Sequence, residues 1–335
     1  MKKKNKVLVT GGAGFIGSYV ADELIKLGQE VIVLDDLSGG FKRNVNPKAK
    51  FVKGSINDVK LINKLFKENK FDYVFHLAAY AAEGLSHFIK HYNYQNNLVG
   101  SVNLINASVN HNVKCFVFTS SIAVYGPGQV PMIEEMIPEP EDSYGIAKYA
   151  VEMELRVSQE MFGLNHIIFR PHNVYGSRQN LSDKYRNVVG IFINQIMQNL
   201  PITIFGDGKQ KRAFTHIKDI SSVIAESIFK PKAYNQVFNI GTDQAVTVNR
   251  LADLVFKAMG KKTRINHLLE RSEVKYAYSD HKRVKNILNY QDKINLEQGI
   301  EEMTQWAKEV EVKQIKPFAN IEILKNLPPS WLKFK

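Results

Sequence analysis

Three residues of this chain have the types and spacing for proton transfer. Tyr144 and Lys148, in the run Ser143-Tyr144-Gly145-Ile146-Ala147-Lys148, are four positions apart and would share one face of a helix. A free tyrosine titrates at about 10. A neighbouring ammonium favours the phenolate, which makes Tyr144 a candidate general base near neutral pH. Ser121 follows the apolar run Val113 to Phe118, read as a buried strand. Its hydroxyl would therefore face whatever occupies the carboxyl end of that strand. Each signal is weak alone. A tyrosine four residues before a lysine arises by chance in many helices, and a serine after a strand is often only a cap.

Their meaning depends on the elements around them. Val7 to Val9 is an apolar run of buried-strand type, followed at once by the turn Gly11-Gly12-Ala13-Gly14-Phe15-Ile16-Gly17. A helical pattern (Val20, Leu24, Leu27) stops at Gly28, and a second apolar strand, Val31 to Leu34, ends in Asp35 and Asp36. Gly11 and Gly12 allow the tight turn, Gly14 lets backbone approach a pyrophosphate, and Gly17 lets helix pack on strand. The helix N-terminus offers N–H groups and positive dipole to phosphates. Asp35 can accept hydrogen bonds from both ribose hydroxyls and repels a 2′-phosphate, which favours NAD over NADP. A structural glycine-rich turn would not explain Asp35. Behind this fingerprint, a cationic nicotinamide joins Lys148 in favouring the Tyr144 phenolate, and Lys148 can also hold the nicotinamide ribose.

The periodicity predicts strands at 6–10, 30–34, 50–52, 73–76, 114–120 and 165–170, and helices at 14–28, 58–68, 93–111 and 143–162. This alternation specifies an α/β fold, a doubly wound parallel sheet of Rossmann type. After Pro171 the character changes. Residues 177–187 (SRQNLSDKYRN) are polar and loop-like. A helix at 188–199, a strand at 202–205, a helix at 216–229 and a strand at 236–240 follow, the last expected to rejoin the main sheet. Thr247 is expected to cap a helix at 248–259, and Leu296 to Val310 reads as a further helix. The expected organisation is a dinucleotide-binding domain of residues 1–176 plus about 212–243. A smaller C-terminal substrate-binding lobe would hold about 177–211 plus 244–335. The tail 312–335 carries many large apolar side chains, among them Phe318 and Trp331, and is expected to pack on the body.

Composition sets limits. The chain has 335 residues, 44% of them hydrophobic, as in ordinary globular domains. Its one cysteine, Cys115, rules out an internal disulfide and reads as a packed core residue in a reducing compartment. No apolar run reaches the ~20 residues needed to span a bilayer. MKKKNK leads straight into the first strand, so no signal peptide is expected and the expected setting is cytoplasmic, with no membrane partner. The net charge of +12 has three readings: a lysine-rich solvated surface, steering of a dianionic substrate, or nucleic-acid binding. Lys and Arg are dispersed and no nucleic-acid motif appears, so the first is favoured and no nucleic-acid partner is expected. No metal site is expected either.

These motifs together carry a resemblance. Over about residues 5–310 the chain resembles an extended short-chain dehydrogenase/reductase of the nucleotide-sugar epimerase/dehydratase family, on the side of the UDP-glucose 4-epimerases. TGGAGFIGS, LDDLS, HLAA (His76 to Ala79), NNLVGS (Asn96 to Ser101), SSIAVYG, YGIAK, RPHNVYG (Arg170 to Gly176), IFGDG (Ile204 to Gly208) and the Arg271 region carry it in order. The resemblance implies NAD contacts at Gly11, Gly14, Phe15, Ile16, Gly17, Asp35, Asp36, Ser38, Ser55, Ile56, Leu77, Ala78, Ala79, Asn97, Tyr144, Lys148 and Pro171. It places Asn97 near the pyrophosphate and Ile56 beside the adenine. Glu83, Gly84 and Ser86 fall on the loop implied to reach the sugar. Asn173, Asn187, Val188, Arg212 and Arg271 match nucleotide-sugar contacts, and Ile204 and Phe205 would flank the uracil. Guanidinium groups suit a diphosphate because they fork onto its oxygens. The implied catalytic set is Ser121, Tyr144 and Lys148. The implied partners are a UDP-hexose and a second copy, paired through the helices near 93–111 and 143–162.

Sugar 4,6-dehydratases and the related decarboxylases place acids after the serine, where this chain has Ile122 and Ala123. The resemblance therefore points to 4-epimerisation of a UDP-hexose: oxidation at C4, turning of the 4-keto sugar, and reduction on the other face. Another family activity (a UDP-glucuronate or GDP-sugar epimerase, or a 4-ketoreductase) stays open, as does a non-catalytic NAD(P)-binding regulator. Such regulators tend to lose the Tyr/Lys pair. Several positions depart from the family pattern. Ser55 stands where an acid often meets the adenine amine, Ala213 replaces a common Asp, and Ser177 replaces a common Pro. The segment 177–187 is longer than usual and is expected to cover the site. Ala277 aligns where some glucose-specific epimerases carry tyrosine, which would leave room for an N-acetyl group.

Overall fold

The computed structural model describes residues 4–128, 130–183, 185–270, 276–310 and 318–332. Its first half alternates strand and helix: β1 Lys6–Thr10, α1 Phe15–Lys26, β2 Glu30–Asp35, β3 Lys50–Lys53, α2 Val59–Asn69 and β4 Tyr73–His76. Then come the short α3 Glu83–Ser86 and α4 Lys90–Tyr94, α5 Gly100–Asn110, β5 Cys115–Thr119, the long α6 Ser143–Phe162 and β6 His166–Pro171. The second half contains β7 Val174–Tyr175, α7 Val188–Met197, β8 Ile202–Phe205, β9 Lys211–Ala213, β10 Thr215–His216, α8 Ile217–Glu226 and β11 Gln236–Ile240. It continues with β12 Ala245–Thr247, α9 Val248–Met259, β13 Ile265–Leu268, β14 Tyr276–Ala277, α10 Lys282–Leu288, α11 Leu296–Glu309 and α12 Pro329–Leu332.

Seven strands form one parallel sheet in the order β11-β6-β5-β4-β1-β2-β3, with β11 beside β6 as expected. The doubly wound α/β fold is therefore present. Side chains alternate across it with the strand period. Val7, Val9, Val33, Cys115 and Phe169 face the layer of α1 and α8. Leu8, Ile32, Leu34, Phe116 and Ile168 face the layer that includes α2, α5 and α6. Each buried side chain of this size contributes about 1.5–3 kcal/mol, so registry is strongly fixed. A third cluster joins α7, β8, α9 and α11 in the C-terminal part, and Thr247 caps α9 by accepting from the Arg250 N–H at 3.1 Å. The end of β6 is tied to this part by His172, whose Nε2 lies 3.0 Å from Nε2 of His281.

Two expectations about elements are corrected. The helix expected over 93–111 runs from α4 to α5 through one π turn, Gln95–Val99. The helix expected over 216–229 ends at Glu226 and finishes as a 3-10 turn, Ser227–Phe229. Among the described residues, no helix is long and apolar enough to cross a membrane.

Candidate functional site

The first turn of α6 is fixed from three sides. The Asp142 carboxylate caps it, accepting from the Gly145 N–H at 2.9 Å and from the Ser86 hydroxyl at 3.3 Å. Asn93 Nδ2 donates to the Ser143 carbonyl at 2.7 Å. Farther along, Arg170 of β6 forks onto Glu152 at 3.0 and 2.5 Å, and its guanidinium lies 4.6 Å from the Tyr125 ring centre. Burial makes this pair sensitive to loss of either partner. It locks α6 against the sheet, and so sets where Tyr144 and Lys148 stand.

Ser121 hydrogen-bonds the Tyr144 phenol, so the serine from the end of β5 and the tyrosine from α6 meet. Lys148 Nζ donates to the Thr119 carbonyl at 2.7 Å and lies 5.7 Å from the Tyr144 ring centre. Burial pulls Lys148 down to about 7, opposed by Glu152. Burial pushes the Tyr144 phenol well above its ordinary value and the Glu83 carboxylate adds to this, while the Ser121 hydrogen bond works the other way. The expected depression of Tyr144 by Lys148 is thus corrected. The lysine's own charge is disfavoured by burial and directed at Thr119, so desolvation of the phenol dominates.

A cavity of about 390 Å³ opens beside this trio and runs along the carboxyl ends of the strands. Its floor fits a dinucleotide. Gly11 has φ +71°, and a Cβ there would come within 2.6 Å of the Ala78 nitrogen. A Cβ on Gly17 would come within 2.2 Å of the Gly11 carbonyl oxygen, so turn, strand and helix meet with no room for side chains. The buried Asp35 accepts from the N–H groups of Ala13 (3.0 Å) and Leu37 (2.8 Å), which fix its carboxylate at the end of β2. Burial raises Asp35 above the usual carboxylate range, and these two bonds oppose the rise. Thr119 and Ser120 line the cavity, and their buried hydroxyls have no hydrogen-bond partner within the protein.

The structure brings most of the expected residues to this cavity. Gly11, Gly14, Phe15, Ile16, Gly17, Asp35, Asp36, Ser38, Ile56, Leu77, Ala78, Ala79, Glu83, Ser121, Tyr144, Lys148, Pro171, Asn173 and Asn187 all line it. Others lie off its wall. Ser55 spends its hydroxyl on the Asn57 N–H at 3.1 Å. Asn97 accepts from the Tyr80 N–H at 2.8 Å and donates to the Tyr80 carbonyl and the Asn93 side chain, so it holds the wall from behind. Gly84 sits in α3 and Val188 opens α7, outside the lining. Ile204 and Phe205 end β8, while Arg212 in β9 is the strand neighbour of Ala277 in β14. Ala277 is buried there and is not among the residues that line the cavity. Arg271 lies outside the described residues.

Sequence reasoning missed Tyr80, Tyr92, Asn96, Gln179, Asn180, Tyr185 and Arg186, which also line the cavity. Five of the lining residues (Gln179, Asn180, Tyr185, Arg186 and Asn187) come from segment 177–187, which therefore covers the site as expected. The readable signal was its length and its mixture of Tyr, Arg and Asn. Asn96 and Asn97 sit in the π turn, which re-aims side chains within a helix.

Comparison with known proteins agrees with this geometry. The model of the NAD dependent epimerase/dehydratase family matches residues 7–241. A putative UDP-glucose 4-epimerase of Methanocaldococcus jannaschii is 35% identical over 306 residues, covering 90% of this chain and 98% of its own. The crystal structure of UDP-glucose 4-epimerase with UDP-glucose from Thermotoga maritima is 35% identical. It superposes with a TM-score of 0.87, covering 91% of this chain and 99% of that one. The UDP-N-acetylglucosamine 4-epimerase of Methanobrevibacter ruminantium, in complex with UDP-N-acetylmuramic acid, is 32% identical, with a TM-score of 0.85 over 92% of this chain and 99% of its own. The family model spans most of the chain, and relatives 35% identical cover about nine-tenths of it, so this protein is a member of the NAD dependent epimerase/dehydratase family.

Proposed function

We propose that this enzyme interconverts UDP-hexoses at C4. The observation that carries the reading is the convergence of Ser121, Tyr144 and Lys148 beside the dinucleotide cradle, with Ile122 and Ala123 in the turn that follows. Neither of those side chains can exchange a proton, whereas elimination or decarboxylation at this turn would need one that can.

In this reading Tyr144 takes the proton of the C4 hydroxyl, and Ser121 hydrogen-bonds the same oxygen and steadies it. Lys148, pulled down to about 7 by burial, holds the Thr119 carbonyl and the near end of the cofactor site. NAD, when bound, supplies a hydride acceptor that returns the hydride to the other face. Asp35 selects NAD through its ribose. Glu83, on α3, faces the sugar hydroxyls. Asn173, Asn187 and Val188 hold the nucleotide, Arg212 and Arg271 hold its diphosphate, and Ile204 and Phe205 flank the base. A firmly held nucleotide and a loosely held sugar let the keto intermediate turn.

We assign the same site to a cytoplasmic homodimer. Ile146, Met153, Val157 and Met161 are exposed on α6, and Val99 is exposed at the head of α5, an apolar face of the kind a second copy covers. V157D should then shift the protein to monomer by sedimentation, while a wild type that sediments as monomer would contradict the assignment.

The activity is tested by incubating the purified protein, with no cofactor added, with UDP-glucose, UDP-N-acetylglucosamine and their 4-epimers. Interconversion of at least one pair is expected. A product lighter by one water would instead assign Glu83, the carboxylate beside Tyr144, to acid–base work in an elimination.

A further inference from the structure

We propose that the C-terminal segment 318–332 is a strap that holds the outer wall of the cleft closed over the cofactor, with Phe318, Glu322 and Trp331 as positioning residues. The proposal rests on the cofactor and not on which sugar is turned over.

The outer wall is made of two pieces that lie off the main sheet. One runs from Tyr80 to Tyr92 and contains the four-residue α3 and the start of α4, whose helix continues through the π turn into α5. The other is segment 177–187, whose described residues form no helix or strand. Neither belongs to the main sheet. The strap touches both. The Phe318 ring sits 5.4 Å from Tyr80 and 5.0 Å from Tyr92, and the Phe318 N–H donates to the Tyr185 hydroxyl at 3.1 Å. Trp331 packs edge-on against Tyr185 at 5.2 Å and Phe88 at 5.9 Å.

Polar bonds fix the register of these contacts. The Glu322 carboxylate accepts from the N–H groups of His91 (2.8 Å) and Tyr92 (2.9 Å), satisfying donors at the start of α4. In return, the Glu322 and Ile323 N–H groups donate to the Phe88 carbonyl at 2.9 and 3.1 Å. Leu327 and Trp331 close a small core with Ala82, Leu85 and Ile89 that is separate from the cores on the sheet.

The wall then reaches across the cleft. Tyr80, Tyr92 and Tyr185 each touch the strap and also line the cavity. Arg186, paired with Asp183 at 2.6 Å, lies 5.0 Å from the Tyr80 ring centre. A Cβ on Gly39 would be 3.4 Å from the Arg186 guanidinium, so this arginine meets the loop that follows Asp35 and Asp36. Strap, tyrosines, arginine and ribose loop form one continuous line across the mouth. An enzyme that must keep its cofactor through every turnover gains from such a closure, since the escape rate depends on opening of the wall.

The test uses the full-length, NAD-loaded protein and the variants E322A, F318A and W331A, with W331F as the conservative control. Hydrogen exchange should quicken in residues 83–94 and 179–187 and stay unchanged in the strands of the main sheet. Release of bound NAD, followed after dilution, should speed up by about tenfold or more, and W331F should restore most of the retention. Turnover at saturating NAD should stay within about threefold of wild type. Quicker exchange with unaltered NAD release would overturn the retention role. Unaltered exchange in both wall segments would overturn the strap itself. Neither hydrogen exchange nor NAD release needs a sugar substrate, so inactivity toward every UDP-hexose would defeat the proposed reaction and leave the strap result standing.

Discussion

The two sides of the cleft are built by opposite means. The cofactor floor is backbone geometry: strand ends, a glycine turn and a helix N-terminus, locked by a sheet whose side chains are buried on both faces. The outer wall is side-chain work. Tyrosines from one segment, an arginine from a second and a phenylalanine and a tryptophan from the far end of the chain meet over it. A floor of the first kind suits a ligand that never changes. A wall of the second kind can be altered without disturbing the fold, so it is where members of one family can diverge in what they hold.

That contrast predicts a ranking of effects. The largest belongs to the floor. Gly17→Val would drive a side chain into the Gly11 carbonyl, and we expect a loss of about 3 kcal/mol or more in denaturant unfolding together with loss of bound NAD. Next is chemistry without structure. Tyr144→Phe should lower kcat by about 10²–10⁴-fold while NAD content and unfolding midpoint stay at wild-type values. Asp35→Ala removes the carboxylate at the end of β2 to which the proposed reading gives the ribose, and NAD affinity measured by titration should fall by about 10–100-fold as discrimination against NADP narrows. On the wall, Arg186→Ala should raise the NAD or substrate Kd only about three- to tenfold, with no change in the unfolding midpoint. An Arg186→Ala effect larger than that of Asp35→Ala would reverse the contrast.

The smallest effect concerns pH. Burial and the Glu83 charge both hold the Tyr144 phenol above its ordinary value. Proton abstraction should therefore grow with pH from about 6 to about 9 as the phenolate fraction rises. Removing the negative charge in Glu83→Gln lowers the phenol, so the rising limb of kcat/KM should move to lower pH. A move to higher pH would show that Glu83 acts on the tyrosine in some other way.

The same contrast explains what the sequence could tell. The sheet was readable because its strands are short continuous apolar runs and the first βα turn carries a dense glycine pattern, and the strand at 236–240 rejoins the sheet where expected. The trio of Ser121, Tyr144 and Lys148 was readable because two local spacings on consecutive elements bring it together. The outer wall was not, because no local pattern links Tyr80 to Phe318 or Tyr185 to Trp331; those pairs exist only in three dimensions. The strands β7, β9, β10, β12 and β14 are two or three residues long, too short for any period to register. The π turn is a departure of one residue per turn, invisible to a helical pattern that continues on both sides. Ala277 is the strand neighbour of Arg212, a pairing between two short strands that no local pattern announces.

The central claim is that one carbon is oxidised and then reduced by the same bound cofactor. The most direct measurement supplies UDP-galactose deuterated at C4 to the NAD-loaded protein and locates the label in the product by NMR. The account predicts UDP-glucose with deuterium still on C4 and none in the solvent. Deuterium lost to water, or a product that has shed water, would contradict it.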